Sequence, residues 1–309
     1  MSEKPYSPLR RMLAIVCTLV LAAGAISYGL QNRPKQTNLP FLQASASDIM
    51  SDSQDSSHTP TNILLIGQDR REGETVSRAD TILLCTFHPD SRKVVMTSFL
   101  RDLYVPIPGY DANRLNAAYA HGGMPLLRQT LEETFGLSID GCVEVDFSQF
   151  ADVLDILGGV SIELRQDEAD AINKTVPGTL TEGTHLLSGS QALAYTRIRN
   201  LDDDGDFSRT CRQRKVISAL LKSYKGASVF TVLSVIPDIL PMLSTDMEKR
   251  QIISTTLKLL PMLSDSTIFS QTVPAEGMYT FSTIRGMSVL TADLENIRQE
   301  LAHSLSAEE

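Results

Sequence analysis

The sequence predicts an α/β domain with helices layered on a buried sheet, held outside the membrane by one N-terminal transmembrane helix. Three observations lead there. Asn62 to Ile66 is a short, wholly apolar run ended by Gly67, the pattern of a strand buried on both faces. Strand-like and helix-like runs then alternate as far as Leu164. Ahead of them, Met12 to Leu30 runs for 19 residues without a charge, directly after Arg10 and Arg11.

That run is near the length of a bilayer-spanning helix, and Lys4, Arg10 and Arg11 place residues 1–11 inside and the body outside. A cleaved signal peptide is the competing reading, because Ala23, Gly24 and Ala25 resemble a small-residue cleavage site. The uncharged run continues past them to full spanning length, which favours an uncleaved anchor over residues 12–30. Residues 31–60 are rich in Ser, Asp and Gln and read as a flexible tether. The folded body is expected as a single domain over 61–309.

Within it, strands are expected at Asn62–Ile66, Thr81–Phe87 and Lys93–Phe99, the last two joined by a turn from His88 to Arg92. Helices are expected at Arg114–His121, Pro125–Phe135 and Phe147–Leu157, with strands at Cys142–Val145 and Val160–Leu164 between and after them. Asp167–His185 reads as an irregular insertion. Ser188 and Gln191 form a capping box for a short helix through Tyr195. Phe230–Leu263 reads as apolar helices interrupted by Pro237, Pro241 and Pro261, and Met287–Leu301 as a closing strand and helix.

Composition removes several functions. A net charge of −9 opposes nonspecific nucleic-acid binding. Five scattered histidines and four cysteines show no zinc spacing. Cys142 and Cys211 are the one pair considered for a disulfide. No GxxxxGK[ST] loop and no GxSxG elbow occurs, so neither P-loop chemistry nor that serine nucleophile is offered.

Three polar clusters carry the candidate chemistry. Tyr195 to Lys215 packs six cations and four acids into 21 residues. Five of the cations are arginine, whose planar fork suits phosphate or carboxylate. On the helix that begins beyond the loop, Asp206, Arg209 and Gln213 lie within roughly 60° of the apolar stripe Val216, Ile217, Leu220 and Leu221. Arg214 and Lys215 point away and are expected to be dispensable. Polar groups on a core-facing side need partners or a ligand. In the second cluster, Asp69 and Asp80 flank a loop with Arg71 and Arg78. They either bond backbone groups of the loop or offer oxygens to a hard cation such as Mg²⁺. The third is Arg101 and Asp102 after a strand, an exposed ion pair or part of the same site, with Asn116 a weaker polar candidate. Together these are the parts of phosphoryl transfer.

In order and spacing, NILLIGQDRR from Asn62, RADT from Arg78, SFLRD from Ser98 and LNAAY from Leu115 with Gly122 and Gly123 form one pattern. It continues with VDF from Val145, LGGV from Leu157, LSGSQALAYTRIR from Leu187 and DFSRTCRQ from Asp206. On these residues the chain resembles the LytR-CpsA-Psr family of bacterial cell-envelope proteins from Thr61 to about His303.

The resemblance implies a central mixed sheet flanked by helices, an apolar tunnel for a lipid tail, and a pyrophosphate at its polar mouth. It implies a phosphotransferase that moves an anionic glycopolymer from a polyprenyl-pyrophosphate carrier at the cytoplasmic membrane to a peptidoglycan hydroxyl. It further implies Mg²⁺, or Mn²⁺, at Asp69 and Asp80. Arg71, Arg78, Arg101, Arg197, Arg199, Arg209 and Gln213 would hold the pyrophosphate, and Asp102, Asp206 and Asn116 would orient them. Arg101, Asp80 and Arg199 would form the catalytic group. A lipid-pyrophosphate hydrolase and a non-catalytic polyprenyl-phosphate binder or envelope regulator are the alternatives. One departure stands out: the family usually has Ile-Pro before the Arg-Asp pair, and this chain has Phe99 and Leu100.

Overall fold

The computed structural model describes residues 59–68, 79–198, 201, 206–223, 238–263 and 265–306. The expected anchor over 12–30 and nearly all of the tether lie outside them. Among the described residues no helix is long and apolar enough to cross a membrane.

Three strands begin the domain: β1 (Thr61–Gln68), β2 (Ala79–His88) and β3 (Lys93–Phe99). A hairpin of β4 (Tyr104–Ile107) and β5 (Tyr110–Arg114) follows and leads into α1 (Leu115–Phe135). Next come β6 (Gly141–Asp146), α2 (Phe147–Ile156), β7 (Val160–Leu164), α3 (Gln166–Thr175), β8 (Gly183–Leu187) and α4 (Gly189–Thr196). The remainder is α5 (Asp206–Ser223), β9 (Leu243–Thr245), α6 (Lys249–Leu263), β10 (Thr267–Val273), β11 (Thr280–Ile284), β12 (Met287–Thr291) and α7 (Leu294–Ser304).

The central sheet has the order β10-β3-β2-β1-β6-β9. It is mixed: β1 runs parallel to β6 and β3 parallel to β10, whereas the pairs β1–β2, β2–β3 and β6–β9 are antiparallel. The apolar run of β1 is explained by two covered faces. Ile63 and Leu65 enter one core with residues of α2 to α6, while Leu64 and Ile66 enter a second with α1 and α7. Alternate side chains of one strand thus serve opposite layers.

The expected elements appear within a few residues, and α1 joins the two helices expected at its place. Its axis breaks at Gly122 and Gly123, and Gly123 takes φ 62°, a conformation that favours glycine, just before Pro125. The irregular insertion expected at Asp167–His185 is instead α3 and β8. This helix is short and mostly polar, burying only Glu168, Ala169 and Ile172, so its periodicity is faint. It is fixed by tertiary contacts: Arg212 Nε donates to Glu168 Oε1 at 3.0 Å with both side chains about 5% exposed. β8 pairs with β7 away from the main sheet. Within the expected Phe230–Leu263 helices, the described part includes strand β9, and α6 runs unbroken to Leu263 with Pro261 in its last turn. The strands β4, β5, β10 and β11 were not anticipated.

The Cys142–Cys211 pairing does not form, and Cys85, Cys142 and Cys211 are free thiols. Cys142 packs in the core on the α1 face, whereas α5, which carries Cys211, packs on the other face. The sheet stands between them. Burial pushes the Cys85 thiol up to about 12 and raises that of Cys142 as well.

Two outcomes follow from this packing. Of these three cysteines, only Cys211 should be alkylated by iodoacetamide in the native protein at pH 8, as mapped by peptide mass spectrometry. Glu168→Ala should lower the free energy of urea unfolding by about 3–5 kcal/mol, because it removes the carboxylate that faces the buried Arg212 guanidinium.

Candidate anion site at one end of the sheet

The strand directions bring the end of β1, the start of β2 and the end of β3 to one edge of the domain. Asp80, on the second residue of β2, is the meeting point there. The Arg101 guanidinium donates to Asp80 Oδ1. Arg209, on the first turn of α5 and 2% exposed, donates from Nη2 to the Asp80 carbonyl at 3.2 Å. Three chain segments that are far apart in sequence therefore converge on one residue.

Asp102 continues the chain of charges. Its carboxylate lies 3.6 Å from Arg101 Nε and 3.4 Å from Arg114 Nη1. The structure thus sets Asp102 between two arginines, and Arg114 is a member of the cluster that sequence reasoning missed. The available signal was its place at the head of the LNAAY element, immediately before the start of α1. Asn116 is 3% exposed, and its backbone N–H donates to the Arg101 carbonyl at 3.0 Å.

The loop that carries Arg101 is held by backbone bonds. Leu100 N–H donates to Val273 O at 2.8 Å, Leu115 N–H to Leu103 O at 2.8 Å, and Leu290 N–H to Asp102 O at 2.9 Å. The first of these clarifies the departure at Phe99 and Leu100. A proline at position 100 would fix φ but could not donate to Val273. Here a hydrogen bond to β10 anchors the same loop.

Arg197 closes α4 and extends to the surface, its guanidinium 4.8 Å from the centroid of the Phe147 ring. Phe147 also lines a narrow apolar slot of about 60 Å³ with Leu65, Val143, Phe150 and Ile217. Gly67 forms part of that wall, where a Cβ would stand 2.9 Å from Thr81 Cβ and 3.2 Å from Phe147 Cε1. Gln213 reaches the slot from α5, and its Oε1 is buried without a hydrogen bond among the described residues. Asp69, Arg71, Arg78 and Arg199 lie outside the described residues, as does the side chain of Asp206, whose backbone opens α5. Among the described residues no group of three or more His, Cys, Asp or Glu side chains is placed to hold a metal ion.

The helical phasing of α5 needs one correction. Lys215 is exposed and turned outward, its ammonium bonded to Glu163 O at 2.7 Å. Arg214, expected to point away from the core, is 5% exposed. The helix is buried over a wider arc than the apolar stripe indicates, because β3 and β10 pack on one side of it and α4 and β7 on another. Arg214 donates to Cys211 Sγ at 3.1 Å, while its Nε and Nη1 have no hydrogen-bond partner among the described residues. Burial lowers its pKa.

Gln68, just before Asp69, is held by a buried network. Its amide donates to Glu144 Oε1 at 2.6 Å, and Tyr119 donates to its Oε1 at 3.2 Å. This pins the end of β1 from which the Asp69 loop departs, and nothing in the local sequence announced it.

Arginines ordered by carboxylates beside an apolar slot make this a candidate site for an anion. The comparisons with known proteins specify the class: the LytR_cpsA_psr family profile matches residues 28–303, and the chain belongs to that family. It is 35% identical over 225 residues, 69% of either chain, to the polyisoprenyl-teichoic acid–peptidoglycan teichoic acid transferase TagT of Bacillus subtilis strain 168. The structure of TagT bound to LIIa-WTA superposes with a TM-score of 0.65 at 26% identity, covering 92% of this chain and 98% of that one. The family protein YwtF (TagT) with bound octaprenyl pyrophosphate lipid gives 0.62 at 26% identity, covering 81% and 92%.

Arg214 supplies the test of the corrected phasing. Arg214→Met keeps an unbranched chain and removes a buried charge whose one side-chain bond among the described residues is to the Cys211 sulfur, so it should raise the urea unfolding free energy by about 1 kcal/mol or more. A loss of stability would show that the bond to Cys211 outweighs the cost of burying the guanidinium.

Proposed function

We propose that this protein transfers an anionic glycopolymer from a polyprenyl-pyrophosphate carrier to a peptidoglycan hydroxyl, forming a phosphodiester link. The observation that carries this reading is the convergence of Arg101 and Arg209 on Asp80 beside the apolar slot. The names of the matched transferase and of the lipid-bound neighbour support it.

In the reaction, the acceptor hydroxyl attacks the phosphorus that bears the glycopolymer. A P–O bond of the pyrophosphate bridge breaks, polyprenyl phosphate leaves, and the hydroxyl proton is released. Catalysis on this reading is positioning and charge neutralisation. Arg101 and Arg209 meet phosphate oxygens, with Arg197 at the surface and Gln213 at the slot. Asp102 restrains Arg101 from its other side, together with Arg114. Arg71, Arg78 and Arg199 complete the anion site in this proposal, Asp206 orients its arginines, and Arg199 joins Arg101 and Asp80 at the reacting phosphate.

Asp80, in part-buried contact with Arg101, brings one hard carboxylate to the site, and the proposal adds Asp69. Two carboxylates together with the substrate's own phosphate oxygens suit Mg²⁺ or Mn²⁺, whose contribution would be further charge neutralisation. The apolar lining of the slot, Leu65, Val143, Phe150 and Ile217 among them, suits a prenyl chain in this proposal. The uncharged run Met12–Leu30 would anchor the protein as a single-pass membrane protein, with residues 61–309 outside at the face where such a carrier presents its glycan.

The test is transfer of labelled glycan from a polyprenyl-pyrophosphate donor to peptidoglycan oligomers by the full-length protein in detergent. Linked product should form, should vanish with EDTA, and should fall at least about a hundredfold in Arg101→Ala. Lys215→Ala should stay within about twofold of the parent, as expected of an exposed cation. Release of label with no linkage would replace this reading with hydrolysis, and donor binding without turnover would replace it with a binder.

A further inference from the structure

The helix α5 carries three buried guanidinium groups, and their partners differ in kind. Arg209 Nη2 donates to the Asp80 carbonyl at 3.2 Å. Arg212 donates to Glu168 Oε1 at 3.0 Å and to the Ile198 carbonyl at 3.3 Å. Arg214, with 5% of its surface exposed, meets sulfur instead of oxygen: its Nη2 donates to Cys211 Sγ at 3.1 Å. Its Nε and Nη1 are buried without a hydrogen bond among the described residues.

A thiol sulfur is a weak acceptor, whereas a guanidinium offers five N–H donors in one plane. Burial lowers the Arg214 pKa, and the opposing influence comes from Cys211 itself. The two residues are three apart on α5, so their side chains share a face. Unlike the buried thiols of Cys85 and Cys142, that of Cys211 is exposed. Its sulfur therefore has solvent on one side and unused buried donors on the other.

The surroundings narrow the chemistry. A disulfide within the described residues is not offered, because Cys85 and Cys142 are enclosed in the two cores. A metal ion would be repelled by the guanidinium, and no group of three or more His, Cys, Asp or Glu side chains among the described residues is placed to hold one. What the donors lack is oxygen. Two oxygens sharing one negative charge would match the planar fork.

We propose that Cys211 is an oxidation site for hydroperoxides and that Arg214 receives the sulfinate formed there. In the first step the thiol sulfur takes one oxygen from hydrogen peroxide. An S–O bond forms, the O–O bond breaks, and the second oxygen leaves as water. The sulfur loses two electrons, the peroxide gains them, and the product is a sulfenic acid. A second peroxide repeats the exchange and gives the sulfinic acid, whose proton passes to solvent. The two sulfinate oxygens then face Nη2 and a neighbouring guanidinium nitrogen as a carboxylate would. Oxidation thus gives Arg214 the oxygen acceptors that Arg209 and Arg212 already have. The site is independent of the transferase reading.

Full-length protein in detergent is treated with hydrogen peroxide, and the Cys211 peptide is followed by mass spectrometry alongside urea unfolding. In the wild type this peptide should gain two oxygens, and the urea midpoint should rise by about 0.5 M. Cys211→Ala, treated identically, corrects for oxidised methionines and should show no such rise. In Arg214→Met, oxygen uptake at Cys211 should slow about tenfold and peroxide should bring no rise in midpoint. Cys211→Asp places a carboxylate at the same position without peroxide, and its midpoint should exceed that of Cys211→Asn. That comparison decides the role of Arg214 even where Arg214→Met does not fold. Equal oxidation rates in wild type and Arg214→Met, an oxidised wild type with no rise beyond that of Cys211→Ala, or a Cys211→Asp variant no more stable than Cys211→Asn would each overturn the site.

Discussion

The placement of opposite charges around Asp80 is the constraint on which the rest of the site depends. Clustered arginines repel one another, and a half-buried guanidinium without an acceptor is costly. Asp80 meets that cost twice, with its carboxylate toward Arg101 and its carbonyl toward Arg209. Asp102 repeats the device between Arg101 and Arg114. The acids of the candidate site therefore keep cations at one place, in fixed orientations. Pre-organisation of this kind is how charged groups act on a transferring phosphoryl group without reorganising during the reaction.

Two elements position those charges, and they were unequally legible in the sequence. The central strands were plain because they are buried on both faces: Ile63 to Ile66 alternate between two cores, so no polar residue interrupts them. Asp80 and the Arg101–Asp102 pair could be read as site residues because they flank such strands. The edge strand β10 was not legible. Thr267 to Val273 buries only its last two residues, and a half-exposed run of Thr, Ser and Gln carries little periodic signal. Helix α3 was missed for a related reason, since its place is set by the Glu168–Arg212 ion pair, 44 residues apart in the chain. Contacts of that kind have no local trace.

The helix α5 shows how far phase arguments reach. An apolar stripe locates the centre of the buried face and brought Arg209 and Gln213 to the site. It does not give the width of that face. A helix packed against a sheet on one side and against a helix and a hairpin on another buries residues well outside its stripe, and Arg214 is one of them. The arginines of this short segment consequently divide by environment. Arg209 meets the sheet end, Arg212 holds α3, Arg214 lies in the interior, and Arg197 stands at the surface over the Phe147 ring.

The hydrogen bond from Leu100 to Val273 has a consequence in time as well as in space. The loop carrying Arg101 is tied to β10 by that bond and to β12 through Asp102 and Leu290, while Arg209 comes from the middle of the chain. Half of the anion site is thus encoded before residue 115, yet its geometry is completed only by residues beyond 270. As the chain emerges from its amino end, the early arginines have no fixed arrangement until the last strands dock. Closing such distant contacts comes late in assembly. The arginine cluster therefore takes its geometry only with the finished fold.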